Sequence, residues 1–129
     1  MATSPSFIGT AAIGSVNVAT ANTAIDGSGT IPTLLTGAST GTRVLEVVAQ
    51  CAASSAAARV NLFLTVDSGT TWRLFDQIAI AAATPSATVS ANRATVTYAN
   101  LVLKDATQRI GCATSISQST NVMAFGGDL

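Results

Sequence analysis

The sequence predicts an all-β, single-domain β-sandwich, jelly-roll-like, with about seven to nine strands. Three observations predict it. Apolar residues recur at steps of two through most of the chain from Arg43 onward. Clusters of turn-forming residues interrupt them at spacings of about ten residues, the rhythm of a sandwich or barrel. No stretch shows convincing amphipathic helical spacing. The 129 residues suit one domain able to close a core without disulfide staples.

Residues 1–42 carry a single charge, Asp26, and are rich in Ala, Thr, Ser, Gly and Asn. "AAIGSVNVAT" has strand character, and "IDGSGTIP" is punctuated as a turn. The expectation is a weakly structured N-terminal arm with the first strand or strands over 1–42, and the sandwich core over 43–129. Phe7 and Ile8 are candidate arm anchors, being apolar with no evident local strand partner.

In "RVLEVVAQCA" Leu45, Val47, Ala49 and Cys51 share one face, and Val44, Glu46, Val48 and Gln50 the other. "AASSAAAR" is too short for an independent helix and reads as a small-residue connection. "RVNLFLTV" alternates with Val60, Leu62, Leu64 and Val66 inward; Arg59, Asn61, Phe63 and Thr65 point the other way. After Asp67-Ser68-Gly69, "TTWRLFDQIAIA" places Leu74, Ile78 and Ile80 inward. Pro85 marks a crossing that resists a central strand. "ATVTYANLVL" resumes with Val96 and Tyr98 in phase, and "KDATQ" is a polar turn. "RIGCATSIS" sets Ile110, Cys112, Thr114 and Ile116 on one face. "VMAFGGDL" is a short final strand in which Met123 and Phe125 alternate with Val122 and Ala124. One of those two pairs must face away from the core.

Charge limits the function classes. Charged residues are 9% of the chain, against about 25% in an ordinary soluble domain. Six basic and six acidic residues cancel. A lone particle with so little charge is prone to self-association, which favours an assembly component. No basic cluster exists for nucleic acid or an anionic membrane. No apolar run approaches the roughly 20 residues of a membrane span. No basic segment precedes an apolar stretch as in a secretory signal, so synthesis in a cytosol is expected. Cys51 and Cys112 then read as reduced, buried thiols.

The most suggestive short motif is "LTVDSGTTW", Leu64 to Trp72. "VDSGTT" resembles the catalytic loop of aspartic proteases, and "RIGCA" at Arg109–Ala113 faintly resembles their second apolar-Gly element. That chemistry needs two carboxylates sharing a proton, so a homodimer would have to supply the second. The hairpin reading needs only a turn: Asp67 bonds backbone downstream, and Gly69 takes a positive φ. Asp67, Ser68 and Gly69 are therefore read as turn residues, with no catalytic residue assigned. The chain has no His, which removes Ser-His-Asp and Cys-His activation and the commonest zinc ligand. "GASTG" lacks the Lys of a phosphate loop, and the aspartates are too dispersed for a calcium loop. No cofactor and no metal is expected. Trp72 and Phe75 read as anchors of the core or an interface, and Tyr98 as an isolated aromatic rather than a sugar platform.

A longer resemblance runs through "TGASTGTRVLEVVAQ", "VNLFLTVDSGTTWRLFDQIAIAAATPSATV", "NLVLKDATQRIGCATS" and "STNVMAFGGDL". These stretches resemble small β-rich virion structural proteins of tailed bacteriophages, of capsid decoration (cement) type. The matching positions are Thr36 to Val44, Asn61 to Gly69, Arg73 to Phe75, Thr84 to Ser86, and Val122 to Asp128. Asn61 and Gln77 depart from the pattern, which has a basic and a charged residue there. In those proteins the hairpin appears as Asp-Gly followed by varied polar residues, the behaviour of a turn.

The resemblance implies a virion component; taken with the β pattern, the low charge and the near-uncharged N-terminal segment, the expectation is a non-enzymatic capsid decoration protein on the capsid surface. Its expected partners are the major capsid protein and copies of itself, with a trimer as the expected oligomer, and neither nucleic acid nor membrane. Phe7, Ile8, Trp72, Phe75, Met123 and Phe125 are the candidate interface residues. The alternatives are a phage tail or fibre component, a retropepsin-like homodimeric aspartic protease, and a glycan-binding module using Trp72 or Tyr98.

Overall fold

The computed structural model describes residues 10–129. Phe7 and Ile8 lie outside the described residues. The chain forms β1 (Thr10–Val18), β2 (Thr33–Thr36), β3 (Thr42–Cys51), β4 (Ala58–Thr65), β5 (Arg73–Ile80), β6 (Arg93–Leu103), β7 (Arg109–Thr114) and β8 (Thr120–Asp128). Among the described residues there is no helix, and so none long and apolar enough to cross a membrane.

Two four-stranded sheets face each other, in the orders β1-β8-β3-β6 (sheet A) and β2-β7-β4-β5 (sheet B). β1 pairs with β8, β2 with β7, β3 with β6 and β4 with β5, all antiparallel. The chain is thus one long two-stranded ribbon folded over on itself, the jelly-roll arrangement. Further antiparallel pairing of β3 with β8 and of β4 with β7 completes the sheets. The segment 10–36 supplies one strand to each sheet.

The core lies between the sheets. Val44, Val47, Ala49 and Cys51 of β3 and Val122 and Ala124 of β8 meet Val60 and Leu62 of β4, with Ile110 and Cys112 of β7. Leu34, Leu35, Ile78, Ile80 and Leu103 extend it. Each valine- or leucine-sized side chain fully buried this way contributes about 1.5–3 kcal/mol before conformational entropy. Both cysteines are free and buried.

The strict step of two fails where the ladders slip. A register shift between Val44 and Glu46 resets the phase of β3. Val44 is consequently buried on the side of Val47, and Leu45, expected to share a face with Val47, Ala49 and Cys51, is 38% exposed. Between Leu62 and Phe63 the pairing with β5 skips Phe75. Phe75 thereby packs against the core in place of Leu74. Such bulges add a residue on one strand and reverse the facing of the residues beyond them. Val66 lies past the end of β4 and is 65% exposed, not inward. Ile116 similarly lies beyond the end of β7 and is exposed. The final strand is longer than expected, nine residues, and it is interior to its sheet, between β1 and β3.

The outer face of sheet B is buried over part of its area, while Arg59, Gln77 and Ala79 on it are exposed. Asn61, Phe63 and Thr65, directed away from the sandwich interior, are nonetheless buried. Cover beside Phe63, at its β7 partner Gly111, comes from Trp72 and the connection from β1 to β2. This connection runs beside β7 through an Ala21–Thr114 bridge, with Asn22 N donating to Thr114 O at 2.8 Å and Cys112 N to Pro32 O at 3.2 Å. Ile31 and the Trp72 ring lie over Gly111, leaving no room there for a Cβ. Gly111 is the partner of Phe63 in the β4–β7 ladder. Sheet A has no such cover among the described residues.

Candidate interaction surface

The Leu64–Trp72 stretch is the tip of the folded ribbon. Ser68 and Gly69 both have positive φ, 62° and 93°, as a type I′ turn requires of its two central residues. Asp67 O accepts from Thr70 N at 3.4 Å across the turn. The Asp67 carboxylate is held by the hairpin itself: Oδ1 accepts from Thr71 N at 2.8 Å and from Thr65 Oγ1 at 2.7 Å. Thr65 Oγ1 in turn accepts from Gly69 N at 3.0 Å. The bond from Thr71 N, then that from Thr65, keeps the Asp67 carboxyl below the ordinary carboxylate range.

The same local device recurs at two other aspartates. Asp26 Oδ1 accepts from Ser28 N at 3.0 Å and Ser28 Oγ at 2.6 Å. Asp105 Oδ1 accepts from Thr107 N at 2.9 Å and from the Thr107 hydroxyl. In both, the hydroxyl bond leads in lowering the carboxyl pKa. These carboxylates stabilise turns. Among the described residues no three His, Cys, Asp or Glu side chains gather in a way that could hold a metal ion.

Of the candidate interface residues, Trp72 and Phe75 belong to the body of the protein. Trp72 is half-buried over Gly111. Phe75 packs on the core and against Tyr98, with ring centroids 5.9 Å apart and planes tilted by 44°. Met123 and Phe125 differ. Val122 and Ala124 occupy the core, so Met123 and Phe125 are the pair on the outer face of sheet A, each half-buried.

Around them the ladders assemble a surface. Ser15, Met123, Val48 and Thr95 form one cross-strand row; Ile13, Phe125, Glu46 and Thr97 form the next. Asn17, Asn121, Gln50 and Arg93 border them. Ile13 is 66% exposed. The accessible apolar centre of this face is therefore Ile13, Phe125 and Met123, with Val48 buried among them, rimmed by Thr, Ser and Asn, with Glu46, Arg43 and Arg93 as its charges. An apolar centre with a polar rim is the composition of an interaction surface. Sequence reasoning misses Ile13 and Val48 as members of this surface, although the alternation Ile13-Ser15-Asn17 carries the signal.

A cavity of about 360 Å³ lies at the end of β1, lined by Asn17, Thr20, Asn22, Thr30, Pro32 and Ala113 among others. None of its lining residues is charged or aromatic. Asn22 is occupied by the loop itself, donating to Ser28 O and Thr30 O at 3.1 Å each. Neither Trp72 nor Tyr98 reaches this cavity's lining.

The chain matches no protein-family model, no curated protein and no solved structure.

Proposed function

We propose that this protein is a non-enzymatic virion structural component, a capsid decoration protein that binds the shell of the major capsid protein and stabilises it. The observation that carries the reading is the uncovered outer face of sheet A. Sheet B buries its outward apolar residue Phe63 beside Gly111, which Ile31 and Trp72 cover, and exposes polar Arg59 and Gln77, whereas sheet A presents Ile13, Met123 and Phe125. The chain is only 9% charged, which suits a surface meant to be covered. The jelly-roll sandwich and the resemblance in sequence to phage virion proteins support the same reading.

The mechanism is adhesive. Apolar area removed from water on docking contributes on the order of 25 cal/mol per Å², before the costs of association. Many copies bound to one shell reinforce it through avidity. In this reading the protein sits on the capsid surface, after synthesis in the host cytoplasm, with no cofactor. The test is a cryo-electron microscopy reconstruction of purified virions. Density for this fold on the capsid, with sheet A toward the shell, is the expected result. Density at the tail, or none, overturns the reading. Met123→Ser with Phe125→Ser should lower capsid occupancy while leaving the sandwich folded.

A further inference from the structure

We propose that β1 is a pairing edge whose partner is β1 of a second copy of this chain, laid antiparallel across a two-fold axis. The inference comes from how the four sheet edges differ. An edge strand offers unpaired N–H and C=O groups, and proteins blunt such edges with bulges, charges, proline or short length.

Three edges here are blunted. β2 is four residues long and has a register shift between Thr33 and Leu35. β5 carries the bulge at Phe75 together with Arg73 and Asp76. β6 loses register opposite the Val44–Glu46 step, and the Arg43 guanidinium (Nη2) donates to its Ala99 O at 3.0 Å.

β1 has none of these devices. It is nine residues long, with no charge and no proline. Its register with β8 is unbroken from Thr10–Asp128 to Val18–Thr120. Among the described residues no strand pairs with its other side.

A second β1 is the partner that fits. An uncharged strand pairs with its own copy without like-charge repulsion. With both outer faces on the same side, Ile13 of each copy joins one surface continuous with Phe125 and Met123. The two sheets A merge into one of eight strands, β6-β3-β8-β1 continued by the same order reversed. With one receptive edge per molecule, association closes at two and does not run on into a fibre. This contact is independent of the capsid reading, and it makes self-association two-fold where the sequence suggested three-fold.

Sedimentation velocity on the full chain, from low to high micromolar concentration, tests it. A monomer–dimer equilibrium is expected. Ile13→Lys with Ser15→Lys should weaken it on the order of tenfold or more, because like charges then oppose each other across the pair. Both side chains point outward, and circular dichroism checks that the sandwich persists. Amide hydrogen exchange on the wild-type chain gives a readout that needs no variant: β1 amides should slow as concentration rises, and β6 amides should not. A chain that stays monomeric, or a double variant that associates like wild type, overturns the proposal. So does β1 exchange that ignores concentration. Deleting residues 1–9 should leave the dimer in place; loss of the dimer would assign the contact to that segment and overturn β1 pairing.

Discussion

The Tyr98 hydroxyl donates to Asp76 Oδ2 at 2.8 Å, joining β6 at the edge of sheet A to β5 at the edge of sheet B. The two sheets share no strand, so this bond and the Phe75–Tyr98 ring contact fasten the open side of the sandwich. Tyr98→Phe keeps the ring contact and removes the bond. It should cost about 1–2 kcal/mol, the low end of the range for a hydrogen bond to a charged group, because both residues are only half-buried. A urea denaturation series compares the two chains; equal midpoints would show that the bond contributes nothing.

Alkali should loosen the fold in a defined window. Burial pushes the Cys112 thiol up from its ordinary 9.0 to about 12. Below pH 9.0 folded and unfolded chains both hold that proton, and the contribution is complete. Between pH 9.0 and about 12 only the folded chain holds it, so stability falls as pH rises. Tyr98 acts with the same sign from its ordinary 10.0 upward, raised by burial and then by its bond to Asp76. Denaturation midpoints measured across this window should decline for wild type. Cys112→Ala should flatten the first part of the decline, whatever its effect on stability at neutral pH. The wild-type thiols should also resist alkylation until the chain unfolds.

At the ribbon tip, Gly69→Ala should destabilise by about 1–2 kcal/mol through backbone strain alone. The added methyl meets only the Trp72 ring, at an ordinary 3.6 Å, while φ is +93°. Asp67→Asn keeps an oxygen for the Thr71 and Thr65 bonds and should change stability less. It also serves as the test of the protease alternative. Shell binding unaltered by Asp67→Asn, with no proteolysis by either chain, is expected. A wild-type proteolytic activity abolished by this change would establish the enzyme instead.

Asn61 is fully buried on the outward side of sheet B. Its Oδ1 accepts from Gln77 Nε2 at 2.9 Å, but its Nδ2 has no protein partner among the described residues. A buried, unpaired donor costs about 1–3 kcal/mol. Asn61→Leu removes that donor and releases Gln77 to solvent, where it is already exposed. Thermal unfolding should shift upward; a fall would mean that the amide is worth more than its unpaired hydrogens cost.

The strands of the core were legible where two neighbours stay in register. Val60 and Leu62, or Ile110 and Cys112, obey the pleat and announce themselves by alternation. Leu45 and Leu74 could not be placed by alternation, because a bulge depends on what the partner strand does at that point. Phe63 and Asn61 look outward from their own strand, and their burial depends on neighbours that alternation does not report: Ile31 and Trp72 over Gly111, and Gln77 beside Asn61. β2 has four residues and too little pattern to be seen. At the candidate surface, the Met123–Phe125 alternation and the Asp-Ser-Gly turn were readable. The coverage of one sheet and the bareness of the other were not, since both arise from tertiary packing.

The ribbon has a kinetic consequence. Thr10 opposes Asp128, so the first and last described strands can pair only by closing nearly the whole chain into a loop. The hairpin at Asp67-Ser68-Gly69 closes the shortest loop, and each pair formed outward from it shortens the next, as a zip does. Loop-closure entropy is then met in small steps rather than at once. On that order β1 is last to dock, leaving the edge proposed to receive a second copy as the last of the described strands to become solid.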